Sequence, residues 1–171
     1  MAERSTKIVS QTATLVLILP LIGALEISKS GQELLIGTGQ IAQFWVKAGE
    51  EISIQNPYEN ESVNYLEIWL KPQESFLKND RVIDFSLQQN ELLEIAKDQW
   101  PAQLFLAKID GRQEIDLAFD SPKNVFAFVV NGVFELQNCL LETRTALALT
   151  DIQQLEAEGL AVDNLLLMLC F

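Results

Sequence analysis

Histidine is absent from the chain. That one absence removes the commonest general base and the commonest metal ligand together. Serines are present, but a serine nucleophile has no imidazole to activate it. Cysteine is scarce: Cys139 and Cys170 stand far apart, outside any Cys-x-x-Cys pair, and fit cytosolic free thiols better than a disulfide. Proline and glycine are few, at 5 and 8 residues, and no low-complexity tract occurs, so disorder is not expected beyond the termini. Basic residues number 12 against 24 acidic ones, a formal net charge of −12, which argues against binding nucleic-acid backbones. The acids are dispersed, as on a solvated surface. The apolar run Ala13 to Leu25 is too short to cross a bilayer as a helix, is interrupted by Pro20 and lacks a small-x-small cleavage site after it. It reads as a buried strand rather than a signal peptide, and the expectation is a cytoplasmic protein without a membrane partner. The glycines around Gly37-Thr38-Gly39 read as plain turns, without the strand-turn-helix context of a dinucleotide fingerprint.

What the chain has is apolar material, 49% of its residues, in short alternating runs. The central stretch runs from Gly49 to Lys71. Glu51-Ile52-Ser53-Ile54-Gln55 alternates strictly, with Ile52 and Ile54 on one face. Asn56-Pro57 and Tyr58 to Glu61 break the pattern as a turn, and Val63 to Leu70 resumes it with β-branched and aromatic residues. Ahead of this lie strands within Ile8 to Leu19, Leu21 to Ser28, Glu33 to Ile36 and Gln40 to Val46, with Lys29 to Gln32 as a turn. Pro20 marks an edge or a bulge.

Pro72 to Trp100 differs. It carries turn residues, a short strand near Val82 to Leu87, and a helix-compatible Asn90 to Lys97 that Asn90 can cap. We take residues 74–99 as a connecting segment between an N-terminal barrel, 1–73, and a C-terminal barrel, 100–171. The second half is again β: Ala102 to Ile109, Glu114 to Phe119, Val125 to Val130, Val133 to Gln137, Leu140-Leu141, Ala146 to Leu149, Ile152 to Ala157 and Leu165 to Phe171. Asn131-Gly132 is a strong two-residue hairpin signal, and Asn138-Cys139 a second tight turn. The halves echo each other, since Ile22-Gly23-Ala24-Leu25-Glu26 and Asn131-Gly132-Val133-Phe134-Glu135 each sit in a strand-turn-strand. Many short strands with regular turns point to sandwiches or barrels, and the echo to a duplicated unit.

Gly23-Ala24-Leu25-Glu26, Asn56-Pro57 with Leu66-Glu67-Ile68-Trp69, and Phe128-Val129-Val130-Asn131-Gly132 together resemble the pirin family of the cupin superfamily. The resemblance covers about Val9 to Phe171. It implies an all-β fold of two tandem cupin-type jelly-roll barrels, the first of them shortened, with one or two short helices. Pirins bind one metal, often iron, in the first barrel through three histidines and a glutamate. Aligning this chain on the quoted motifs places those ligands at Val9, Gln11, Ile52 and Ile54. None of the four is the expected ligand, and three are aliphatic, without a lone pair to donate.

The resemblance therefore implies a bicupin without its metal site and without a cofactor. It would be a non-catalytic accessory or regulatory protein that binds a small molecule or a protein, with a homodimer among the assemblies expected. Val9, Gln11, Ile52 and Ile54 would mark the binding pocket left behind. The alternative is a metal-dependent oxidoreductase of the quercetin 2,3-dioxygenase type using substitute ligands. Glu50, Glu51 and Gln55 are the nearest, although Glu51 and Gln55 fall on the face opposite Ile52. Trp45, Trp69 and Trp100 fit core packing better than an aromatic pocket.

Overall fold

The computed structural model describes residues 5–71, 78–97 and 100–171. Within Pro72 to Trp100, the stretch that carries turn residues, residues 72–77 and 98–99 lie outside them. The described residues form fifteen strands and no helix. The chain divides into two units, Met1–Ser86 and Leu87–Phe171. Of the strands inside residues 74–99, β8 (Arg81–Asp84) pairs within the first unit and β9 (Glu91–Ile95) within the second.

The first unit contains two four-stranded antiparallel sheets. One has the order β1 (Ser5–Val9), β6 (Glu51–Gln55), β3 (Leu25–Lys29), β4 (Gln32–Ile36). The other has the order β7 (Asn64–Leu70), β2 (Thr14–Ile22), β5 (Gln40–Val46), β8. Strict alternation sends Ile8, Ile27, Ile52 and Ile54 of the first sheet and Val16, Ile18, Ala42 and Phe44 of the second into one shared core. The apolar run read as a strand is β2, paired on both sides. Its ladder with β5 ends at Ile18, and its ladder with β7 shifts register between Pro20 and Ile22. The proline thus sits where one neighbour has ended and a bulge begins, which is where a residue without an N–H is tolerated.

The second unit is one seven-stranded sheet: β13 (Cys139–Glu142), β12 (Val133–Leu136), β14 (Ala146–Gly159), β11 (Glu114–Asn131), β15 (Asn164–Cys170), β10 (Gln103–Ile109), β9. The two strands expected at Glu114 to Phe119 and Val125 to Val130 are continuous through 120–124 as β11. The strand absorbs its irregularity as register shifts against β14 between Ala118, Lys123 and Val125. Both parts of β11 feed the same core, Ile115 from one and Val125, Ala127 and Val129 from the other.

Three expectations are corrected. Asn90 to Lys97 is not a helix: Leu92, Leu93 and Ile95 pair with Ala107, Leu106 and Leu104 of β10. The local helical preference of Glu-Leu-Leu-Glu gives way to a sheet edge that needs an apolar strand. Asn90 is no helix cap. Its side chain accepts from the Asp110 N–H at 2.9 Å and donates to the Asp110 carboxylate at 3.1 Å. Asn131-Gly132 does not close a hairpin, because β12 pairs with β13 and β14 while β11 pairs with β14 and β15. The hairpin turn near Cys139 falls one residue earlier, at Gln137 and Asn138, both at positive φ (49° and 63°), as a type I′ turn requires.

The duplication is visible in the pairings. In the first unit β2 pairs with β5 and β7, and β3 with β4 and β6. In the second, the end of β11 pairs with β14 and β15, and β12 with β13 and β14. The bend between the corresponding strands is a positive-φ glycine in both, Gly23 at 79° and Gly132 at 88°.

Candidate functional site

Strands β1 and β6 carry three of the four positions to which the resemblance assigns a metal, Val9, Ile52 and Ile54, and Gln11 follows β1. Their register pairs Ile8 with Ile52, Thr6 with Ile54, and Val9 with Glu51. Directly opposed residues share a face, so Ile8, Ile52 and Ile54 point into the first unit's core and Val9 points out. Ile52 is 0% exposed and Ile54 2%, whereas Val9 is 54% exposed. Gln11 is exposed as well. The structure therefore brings Ile52 and Ile54 together and leaves Val9 and Gln11 outside. On that outer face Lys7 and Glu51 form an ion pair at 2.8 Å.

The covered positions two residues apart near the end of β1 are Ile8 and Ser10. The Ser10 hydroxyl donates to the Thr12 carbonyl at 2.6 Å and shares a hydrogen bond with the Thr14 hydroxyl at 2.8 Å. Ile8, Ile52 and Ile54 have no lone pair, and the one hydroxyl is engaged, so this donor set does not fit a metal ion. Among the described residues no group of three or more cysteine, aspartate or glutamate side chains is placed to hold one.

The polar content of the interior comes from elsewhere. Leu25, Ile27 and Lys29 are the inward residues of β3, and Lys29 is the register partner of Ile52. The Lys29 side chain is 9% exposed. Its ammonium donates to the Trp45 carbonyl at 2.5 Å and to both Asp80 oxygens at 3.0 and 2.8 Å. The Asp80 carboxylate also accepts the Trp45 N–H at 2.8 Å. Glu50 lies 3.7 Å from the ammonium. The Glu50 carboxyl is held below its usual range, chiefly by the hydrogen bond from the Lys47 N–H, against the opposing effect of burial, and with help from Ser30. The turn expected at Lys29 to Gln32 starts one residue later, and Lys29 itself closes β3. The signal for its inward face is the period of two from Leu25 through Ile27, carried one step further. Asp80 has no such signal, because only the fold brings it to β3.

Next to this pair, between the edge strands β4 and β8, lies a cavity of about 360 Å³. Ile27, Leu34, Phe44 and Val82 supply its apolar wall, and Lys29 and Asp80 its polar end.

The family described as the quercetinase C-terminal cupin domain matches residues 86–168. That span covers most of the second unit, part of whose strand pairing recurs in the first. The second unit is similar to a quercetinase C-terminal cupin domain. Solved structures share the fold of this chain over nearly its whole length. YhhW from Escherichia coli is 18% identical, with a TM-score of 0.82 over 96% of this chain and 74% of that one. The bacterial pirin YhhW in complex with nickel(II), also from Escherichia coli, is 19% identical, with a TM-score of 0.81 over 98% and 77%. Quercetin 2,3-dioxygenase from Acinetobacter baumannii is 13% identical, with a TM-score of 0.76 over 98% and 61%. At these identities the likeness is one of fold. No curated protein sequence matches the chain.

Proposed function

We propose that this pirin-like bicupin has lost the metal site of its first barrel. In this reading it acts without turnover, as an accessory or regulatory protein that binds a small molecule or a protein. The observation that carries the reading is the packing of Ile52 and Ile54, side by side and sealed from water, where the resemblance puts a histidine and a glutamate. A coordination site needs converging lone pairs and an open position for substrate. Two buried isoleucines offer dry hydrocarbon instead. The absence of histidine from the whole sequence removes the natural substitute. The net charge of −12 supports a partner other than nucleic acid. A cytoplasmic location and a homodimer belong to the same proposal.

The quercetin 2,3-dioxygenase reading draws on the C-terminal domain family and the shared fold. It needs substitute ligands in the first barrel. Glu51 and Gln55 are exposed on β6, and the Glu50 carboxylate is taken up by Lys47 and Ser30. Elemental analysis of protein purified without a histidine tag, followed by oxygen uptake on adding quercetin, separates the two readings. The proposal expects trace metal and no quercetin-dependent uptake. One iron per chain with uptake establishes the oxidoreductase.

A further inference from the structure

Val82 is an interior-facing residue that stays open to water. On β8 it is the register partner of Ala42, whose side chain lies in the first unit's core. Val82 therefore faces the interior side of its sheet, yet it remains 37% exposed. Leu34, the register partner of the buried Ile27, faces the same interior from β4 and is only half-buried. These two edge strands border the cavity of about 360 Å³, within the range of about 300–1,000 Å³ typical of small-molecule sites. Interior-facing apolar surface left open to water is unfavourable unless something covers it.

The electrostatics define what can cover it. Lys29 and Asp80 neutralise each other in a two-oxygen ion pair, and the Trp45 carbonyl takes up the ammonium further. Glu33 and Arg81 also border the cavity, but their register partners Ser28 and Gln43 put them on faces turned away from the core. No uncompensated charge faces the cavity among the described residues. A charged ligand of either sign would lose its hydration and find no counter-charge. An uncharged ligand loses little hydration, and a hydroxyl on it can donate to the Asp80 carboxylate, whose side chain is 36% exposed.

We propose that the β4–β8 cavity is a binding site for a small, uncharged, mainly apolar molecule about one ring in size, with a single hydroxyl directed to the Lys29–Asp80 pair. The proposal deepens the small-molecule reading above and rests on it. Its test involves neither metal nor turnover, so the two fail separately.

The test is an amide-resolved NMR titration of the full chain with benzyl alcohol, benzoate and benzylamine. Benzyl alcohol should give saturable shifts centred on Leu34, Phe44 and Val82, with a dissociation constant of about 1 mM. Benzoate and benzylamine should bind at least about tenfold more weakly. Leu34→Trp and Val82→Trp each fill the cavity from an edge strand and should abolish the benzyl alcohol shifts. If one of these variants does not fold, the other decides. Equal affinity for the three probes overturns the proposal. So does the absence of saturable shifts at these residues, or benzyl alcohol binding that persists in a folded tryptophan variant.

Discussion

Ile8 and Ile52 stand opposite one another across the β1–β6 ladder, both buried, in the core of the first unit. Val9, the next residue, stands opposite Glu51 on the outer face. Replacing Ile52 with alanine should therefore destabilise the protein by about 2–5 kcal/mol, through lost burial and the cavity left behind. Val9→Ala should change stability by no more than about 0.5 kcal/mol. Urea denaturation midpoints read both. Equal shifts for the two variants would contradict a β1–β6 register that turns Val9 to solvent.

Gly132 bends the chain at a φ of 88°, and a Cβ there would lie 2.4 Å from the side-chain oxygen of Asn164. Asn164 is fully buried. Its oxygen accepts from the Val133 and Ala161 N–H groups, and its amide donates to the Ile109 and Ala161 carbonyls. Gly31 has a similar φ of 81° but open space around it. Gly31→Ala should cost about 1 kcal/mol, from backbone strain alone. Gly132→Ala should cost at least about 2 kcal/mol more, because it also displaces a saturated buried amide. Thermal or urea unfolding of the two variants side by side checks the difference.

Much of this fold can be read from the sequence, because one face of each strand is wet and the other dry. Glu51 to Gln55 shows the alternation without ambiguity, and β6 has those bounds. The metal-ligand positions on β1 cannot be read the same way. Ile8 and Val9 are both apolar, so no binary pattern chooses between them, and a one-residue slip exchanges the faces. The stretch Asn90 to Lys97 misleads for a different reason. Two adjacent leucines between glutamates satisfy helical spacing, and only pairing with β10 reveals an edge strand. The Lys29–Asp80 pair joins residues far apart in the chain, so local pattern holds no trace of it.

The same pair gives an asymmetric prediction. Removing Asp80 leaves an ammonium whose side chain is only 9% exposed, with the Trp45 carbonyl as its remaining hydrogen-bond acceptor and Glu50 at 3.7 Å. Removing Lys29 leaves a carboxylate that water can reach and that still accepts the Trp45 N–H. Asp80→Ala should therefore destabilise by about 3 kcal/mol and Lys29→Met by about 1 kcal/mol. Equal costs, measured by urea unfolding, would show that the ammonium is better hydrated than its burial implies.

Cys170 is buried and Cys139 exposed. Burial pushes the Cys170 thiol up to about 12. The folded chain thus keeps a proton that the unfolded chain releases above about pH 8.5. Its contribution to stability is full below that pH and is lost as pH rises toward 12. Relative to Cys170→Ala, the parent protein should lose up to about 1.4 kcal/mol per pH unit in this window. Iodoacetamide at pH 8 should label Cys139 in the native protein and Cys170 only after unfolding. Native-state labelling of Cys170 would contradict its burial.

On the proposed reading, the first unit holds hydrocarbon where the resemblance puts a metal site. The decisive measurement is anaerobic equilibrium dialysis of the untagged full chain against iron(II), with the metal then counted per chain. No saturable binding at one iron per chain is expected, because Ile8, Ile52 and Ile54 offer no lone pair and Ser10 is already engaged. One tightly held iron per chain, lost when Ile52 and Ile54 are both replaced by phenylalanine in a protein that still folds, would contradict that reading.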